Sequence, residues 1–397
     1  MKKRITAVLV TSIMIFSLFS APALAAISED TEGHWAETEI SRWVKNDVIN
    51  LREDAFAPNE FITRGEIFKA INTIFAYKES TVNPFSDLSV SDWYYDHAIR
   101  LAAAGILKGD GGKVNGEDNI TRQEAFVLFA RIFKVSPFEL KLDEFSDAAD
   151  VADWAKDDIG GMLSAGYLNG DGGALRPRDG LTRAEAAKIL DNIIDGYFNA
   201  AGSYSEVDSL MGTSVVNTKD VVIQHIKFDG DLYVTQGVGD GDFTMADNTV
   251  VLGTMYAMGG GVNSVHVLDG SNVFKLVVMN TNGALRVYSE KSSFIETVYI
   301  TEGSDPVTLD GYFINVIIHG GTEVNIANAT IENLIISGSD TLLNIDGSSE
   351  VTAISLTKDA ENAGISVASR GKVGTITSNT DKFEVTGRGN VGKVVVL

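Results

Sequence analysis

The chain contains no cysteine, and its 397 residues include only six prolines and five histidines. Without cysteine there are no disulfides, thiolate metal sites or thiol nucleophile, so any fold must be held by core burial alone. No His-x-x-x-His spacing, nucleophile elbow or phosphate-cradling loop is present. Cations are also scarce: 32 Lys and Arg stand against 54 Asp and Glu, a formal charge of -22. That balance argues against nucleic acid or an anionic membrane as partner. No cofactor and no metal site is implied.

The one long apolar run is at the start. Lys2, Lys3 and Arg4 precede apolar residues from Ile5 to about Phe19, and Ala23-Leu24-Ala25 supplies a small-x-small cleavage pattern. Residues 1–25 therefore read as a secretory signal peptide, with a single-pass anchor as the rival reading. Cleavage would remove three cations, take the charge to -25 and leave no membrane association.

A tetrapeptide recurs three times: Thr63-Arg64-Gly65-Glu66, Thr121-Arg122-Gln123-Glu124 and Thr182-Arg183-Ala184-Glu185. Each copy lies 28 positions after a tryptophan, Trp35, Trp93 or Trp154, which marks a tandem repeat. Helical spacing of apolar residues follows each tryptophan and each motif, with Gly-rich turns such as Gly109-Asp110-Gly111-Gly112 between. The expected units are 27–79, 80–138 and 139–200, each helix, loop, helix.

Threonine and glutamate at the first and fourth positions make a capping box, which accounts for Thr63, Glu66, Thr121, Glu124, Thr182 and Glu185. The arginines are less easily explained, because a cation in the first turn faces the positive end of the helix dipole. Two partners would relieve this: a bound anion held bidentately at the helix start, or an internal carboxylate such as Asp87 or Asp147. The tryptophans are open in the same way, as sugar-stacking platforms or as core.

Beyond Ala200 the composition shifts to Gly, Ser, Thr and Val, and the period becomes two. A linker is expected over 201–220. Apolar-x-apolar strands then start at Val221, Phe243, Val265, Leu285, Val307, Val324, Leu343, Ile365 and Phe383, at intervals of 17 to 22 residues. Turns such as Asp310-Gly311 and second strands such as Val316 to Ile318 lie inside the intervals. Nine coils of a parallel β-solenoid over 221–397 fit this pattern, right-handed because the left-handed hexapeptide pattern is absent. A β-sandwich would need hairpins every 8 to 12 residues. Asp229, Asp231, Asp240 and Asp242 are the candidates for a catalytic acid cluster, although turn chemistry explains them. His225, His266 and His319 read as structural. The terminal Val394-Val395-Val396-Leu397 leaves the sheet edge either to covering loops and the charges of Arg388 and Lys393, or to a second copy or an envelope protein.

Phe85-Ser86-Asp87, Trp93, Gly105-Ile106, Gly109-Asp110-Gly111 and Ile120-Thr121-Arg122-Gln123-Glu124 resemble the signature of the S-layer homology (SLH) domain family. The third copy matches with Phe145-Ser146-Asp147, Trp154, Gly166, Gly170-Asp171-Gly172, Pro177 and Leu181-Thr182-Arg183-Ala184-Glu185. The first departs from it, with Ile27 for the phenylalanine and Asn50-Leu51-Arg52-Glu53 for the Gly-rich loop. The resemblance implies an all-α pseudo-threefold bundle that holds a secreted protein non-covalently on the wall or S-layer of a Gram-positive bacterium. It also implies grooves that bind an acidic, commonly pyruvylated, secondary cell wall polymer. Carried over to this sequence, the carbohydrate-binding residues are Arg64, Arg122, Arg183, Trp35, Trp93, Trp154, Asp87, Asp147, Gly109 and Gly170. The irregular first loop ranks Arg122 and Arg183 above Arg64. The solenoid is expected to be structural or displaying rather than enzymatic. The alternatives are a polysaccharide lyase or glycoside hydrolase, and a carbohydrate-binding module, using its side face.

Overall fold

The computed structural model describes residues 27–397, so the expected signal peptide lies outside the described residues. Six helices come first: α1 (Glu37–Lys45), α2 (Arg64–Phe75), α3 (Tyr95–Ala103), α4 (Arg122–Ile132), α5 (Lys156–Ser164) and α6 (Arg183–Ile193). The motif-led helices α2, α4 and α6 begin around one axis. There the backbone closes a ring of three hydrogen bonds: Ile62 N–H to Leu181 O, Leu181 N–H to Ile120 O, and Ile120 N–H to Ile62 O, at 2.9, 3.0 and 3.1 Å. Residues preceding the helix starts cannot satisfy these groups locally, so each repeat satisfies another's. The tryptophan-led helices pack across repeats as well, α3 on α2, α5 on α4 and α1 on α6, so the last repeat closes onto the first.

Strands begin earlier than composition suggests. Helix α6 passes directly into β1 (Ile194–Phe198), and β2 (Gly202–Tyr204), β3 (Ser209–Leu210) and β4 (Thr213–Val216) occupy the segment read as a linker. Two- to four-residue strands are too short to register a period of two, and all four residues of β4 are buried. These strands pair in parallel with later coils, β1 with β4 and β2 with Val221–Gln224.

From there a parallel β-solenoid of about ten coils runs to Val396. One ladder passes from β2 through strands beginning at Val221, Phe243, His266, Leu285, Val307, Glu323, Leu342, Ala363 and Phe383. All nine expected starts fall within two residues of these; the coil containing β2 is the additional one. Inward columns fill the interior, as where Val251, Val273, Ile295, Phe313, Ile331, Val351 and Val373 stand in register, each at most 2% exposed. Each such side chain contributes about 1.5–3 kcal/mol of burial. At 4.8 Å per coil the rod is roughly 48 Å long. Val394 and Val396 in the last strand, and Leu397 just after it, are exposed.

The two parts share a core. Val215, Tyr233 and Met258 of the solenoid belong to the apolar cluster of the helices. Tyr233 receives the rings of Phe75 and Phe133 edge-on at 5.6 and 6.0 Å. Around this seam Arg42 donates to the carbonyls of Ile194 and Asp195, Asn217 Nδ2 donates to Thr73 O, and the Lys78 N–H donates to Gln236 Oε1. Tyr233→Ala removes a fully buried ring from both parts at a cost of about 3–5 kcal/mol. Although it lies in the solenoid, it should lower the melting of the helical signal at 222 nm; an unmoved helical transition would contradict a shared core.

Candidate functional site

Every copy of the motif divides its work in the same way. One oxygen of the glutamate, Oε2, accepts the N–H of its own threonine: Glu66 from Thr63, Glu124 from Thr121 and Glu185 from Thr182, at 2.9, 2.8 and 3.0 Å. In the first and third copies the Thr63 and Thr182 hydroxyls accept the glutamate N–H, completing the box. In the second, the Thr121 hydroxyl donates to Glu124 Oε2. The other oxygen, Oε1, receives the motif arginine of another repeat: Arg64 Nη1 on Glu124 at 2.7 Å, Arg122 Nη1 on Glu185 at 2.9 Å, and Arg183 Nη1 on Glu66. The arginine that a single helix would not favour is thus explained by a ring of three ion pairs.

Each guanidinium is fixed further by Nε, which donates to Val114 O, Leu175 O or Phe56 O. Asp87 and Asp147 do not pair with the arginines. Asp87 accepts the N–H groups of Val114 and Asn115, and Asp147 those of Leu175 and Arg176, pinning the strand-like turn that presents the carbonyl to arginine. Sequence reasoning missed the first repeat's counterpart, Asp30, which accepts from Phe56 and Ala57. It stands five residues before its tryptophan, where Asp87 and Asp147 stand six and seven before theirs, so a fixed register hides it.

The third guanidinium nitrogen separates the copies. Arg183 Nη2 donates to Asn50 O, and its side chain is 0% exposed. Nη2 of Arg64 and of Arg122 has no hydrogen-bond partner among the described residues, and each arginine lines an open groove. Arg122 faces a groove of about 540 Å³ with Trp35, Gly170, Asp171 and Lys188; Arg64 faces one of about 350 Å³ with Trp154, Gly109, Asp110 and Arg131. The arginine beside the irregular Asn50–Glu53 loop is therefore Arg183 and not Arg64.

All three tryptophans are at the surface: Trp35, Trp93 and Trp154 are 61%, 52% and 56% exposed, so the core reading fails for them. Their helices bury other residues, such as Ile40 and Trp43 in α1. Gly109 and Gly170 have φ near +70°, and a Cβ there would meet the ring of Phe85 or Phe145 at 2.6 or 2.5 Å. The first repeat has Leu51 at this place and the smaller Ile27 in place of the phenylalanine.

Burial alone would raise the Glu66 carboxyl, but hydrogen bonds from Arg52 and the Thr63 N–H and the charge of Arg183 hold it below its usual 4.5. Glu185 is held down in the same way, against burial, by the Thr182 N–H, Arg122 and Arg176. At Asp30, Asp87 and Asp147 burial pushes the carboxyl up, and hydrogen bonds, from the Ser28 side chain at Asp30 and from backbone N–H groups at all three, together hold it below its usual value. Folded values below the free ones mean stability that is complete above about pH 4.5 and is lost as pH falls through the folded values. Bundle melting temperature should decline slightly below about pH 6.5, where His97 of α3, held below its usual value by burial, must charge, and fall more steeply below 4.5; Glu66→Gln should weaken the steeper fall. A melting temperature that rises on acidification would contradict it.

In the solenoid, Asp231 Oδ1 accepts the Thr254 N–H, Asp229 pairs with Lys227, His266 bonds Asn263 O, and His319 stacks on Tyr299. Among the described residues no group of three or more His, Asp or Glu is placed to hold a metal ion.

The S-layer homology domain model matches residues 29–68, 84–126 and 144–187. Residues 29–187 carry three S-layer homology domains. Curated relatives are similar over this half: an amylopullulanase from Thermoanaerobacterium thermosulfurigenes (27% identical, 45% of this chain and 10% of that protein), exoglucanase XynX from Acetivibrio thermocellus (27%, 42% and 16%) and S-layer protein EA1 from Bacillus anthracis (29%, 47% and 22%). The matched part is thus under a quarter of each of these relatives. Proteins of such different names share the SLH region with this chain, which places the common element in the helical half.

Proposed function

We propose that the SLH half anchors the chain non-covalently at the cell surface by binding an acidic secondary cell wall polymer. The Arg64 and Arg122 grooves are the binding sites, and the solenoid serves as a rigid display or spacing rod. One observation carries this reading: in two of three grooves the motif arginine keeps a donor with no protein partner beside an exposed tryptophan. A guanidinium already fixed by a carbonyl and a carboxylate is preorganised, so little entropy is lost when its remaining N–H meets an anion. Lys188 and Arg176 around one groove, and Lys108 and Arg131 around the other, add to the positive field. The pyruvylated character of the polymer is the finer part of the reading, resting on what SLH domains commonly bind. The shared core fixes the rod's direction relative to the wall. An enzymatic solenoid has less support, because Asp229 and Asp231 and the histidines His266 and His319 are taken up by local contacts.

The test is sedimentation of the full chain with purified cell walls, with and without their polymer. Walls stripped of polymer should fail to retain it. Arg64→Ala and Arg122→Ala should each weaken binding at least about tenfold, since a charge-assisted hydrogen bond contributes about 1.5–3 kcal/mol. Arg183→Ala, compared well below its melting temperature, should bind close to wild type. Equal losses at all three positions, or full retention on stripped walls, would overturn the assignment.

A further inference from the structure

The first groove is built differently, and its differences point to another ligand class. Arg52 lines it, and Arg183 lies buried behind Glu66. Arg183 uses Nε, Nη1 and Nη2 on Phe56 O, Glu66 and Asn50 O. Arg52 occupies the place that Asp110 and Asp171 hold in the other repeats, and it donates to Glu66, Glu60 and Phe61 O. Every guanidinium nitrogen of both arginines thus has a protein partner, the Arg183 side chain is fully buried, and Glu60 and Glu117 present carboxylates to the hollow. An acidic sugar would meet repulsion here.

What the groove gains is aromatic surface. Phe61 stands where the other repeats have Asn119 and Gly180; it is 47% exposed and lines the same hollow of about 670 Å³ as Trp93. The Trp93 indole N–H is held by Glu117 at 3.1 Å, which fixes the orientation of the ring. Asn59 and Asn119 also line the hollow. Nδ2 of Asn59 and both side-chain polar atoms of Asn119 have no hydrogen-bond partner among the described residues, while Asn59 Oδ1 meets His34 at 3.4 Å. Two aromatic rings fit the C–H faces of a pyranose, and carboxamides, as donor and acceptor together, suit hydroxyl and acetamido groups.

We propose that this hollow binds an uncharged N-acetylhexosamine unit, so that the bundle reads two chemistries: acid in two grooves and neutral amino sugar in the first. Its partner is the glycan backbone of a wall rather than the acidic polymer, and it does not depend on the Arg64 and Arg122 sites being correct.

The experiment is a titration of the 15N-labelled full chain with N,N′,N″-triacetylchitotriose, following the Trp93 indole N–H identified by its loss in Trp93→Phe. A saturable shift is expected. Half-saturation should rise at least tenfold in Phe61→Ala and in Asn59→Ala/Asn119→Ala, the latter changing only exposed side chains. Arg64→Ala and Arg122→Ala, each compared well below its own melting temperature with the helical signal intact, should leave it unchanged, which separates this site from polymer binding. No saturable shift, a stronger response to tri-galacturonate or to deacetylated chitotriose, or a loss that follows Arg64 and Arg122 instead, would overturn the proposal.

Discussion

A guanidinium reaching from one repeat to the capping glutamate of another is the interaction on which the rest of the helical half depends. It occurs three times, each time with one carboxylate oxygen capping a helix and the other closing an interface. Buried ion pairs are weak sources of net stability, because desolvation offsets most of the Coulomb gain. Their effect here is on register: removing one partner leaves a buried charge, so no repeat can rotate or slip without a cost of about 3–5 kcal/mol. The backbone ring of Ile62, Ile120 and Leu181 lies beside them and sets the same register without charge.

The symmetry of this ring makes its exceptions informative. Two guanidinium groups keep a nitrogen without a protein partner and one does not, and the difference traces to the first loop. Asn50 supplies the carbonyl that takes the last unpartnered nitrogen of Arg183, whereas Arg52 on Glu66 has its counterpart in Arg176 on Glu185. Whether the third nitrogen is taken up within the protein is thus decided by the backbone of the loop beside it.

Much of this was legible in the sequence. The tryptophan-to-motif spacing gave the repeats and helix starts, and the apolar triplets gave nine strand starts, because both patterns are local. The arginine's partner was not legible, since the choice between an anion and an internal carboxylate depends on which repeat lies beside which. Glu124, Glu185 and Glu66 were already assigned to capping, and only the fold shows that a carboxylate has a second oxygen to offer. Trp35, Trp93 and Trp154 were ambiguous because a helix of nine residues buries one face, and Ile40 and Trp43 fill that of α1. The first coil was read as linker because its strands are shorter than the pattern that identifies strands.

The seam gives the anchor its mechanical sense. With Tyr233 in the helical core and α6 continuing into β1, there is no hinge at which the rod turns freely. The ring itself is tested most directly by a double-mutant cycle on Arg64 and Glu124 in urea unfolding, since Glu124 is bridged by Arg64. A coupling of about 1 kcal/mol or more between Arg64→Ala and Glu124→Ala is predicted, whereas additive effects within about 0.3 kcal/mol would contradict a structural role for the pair.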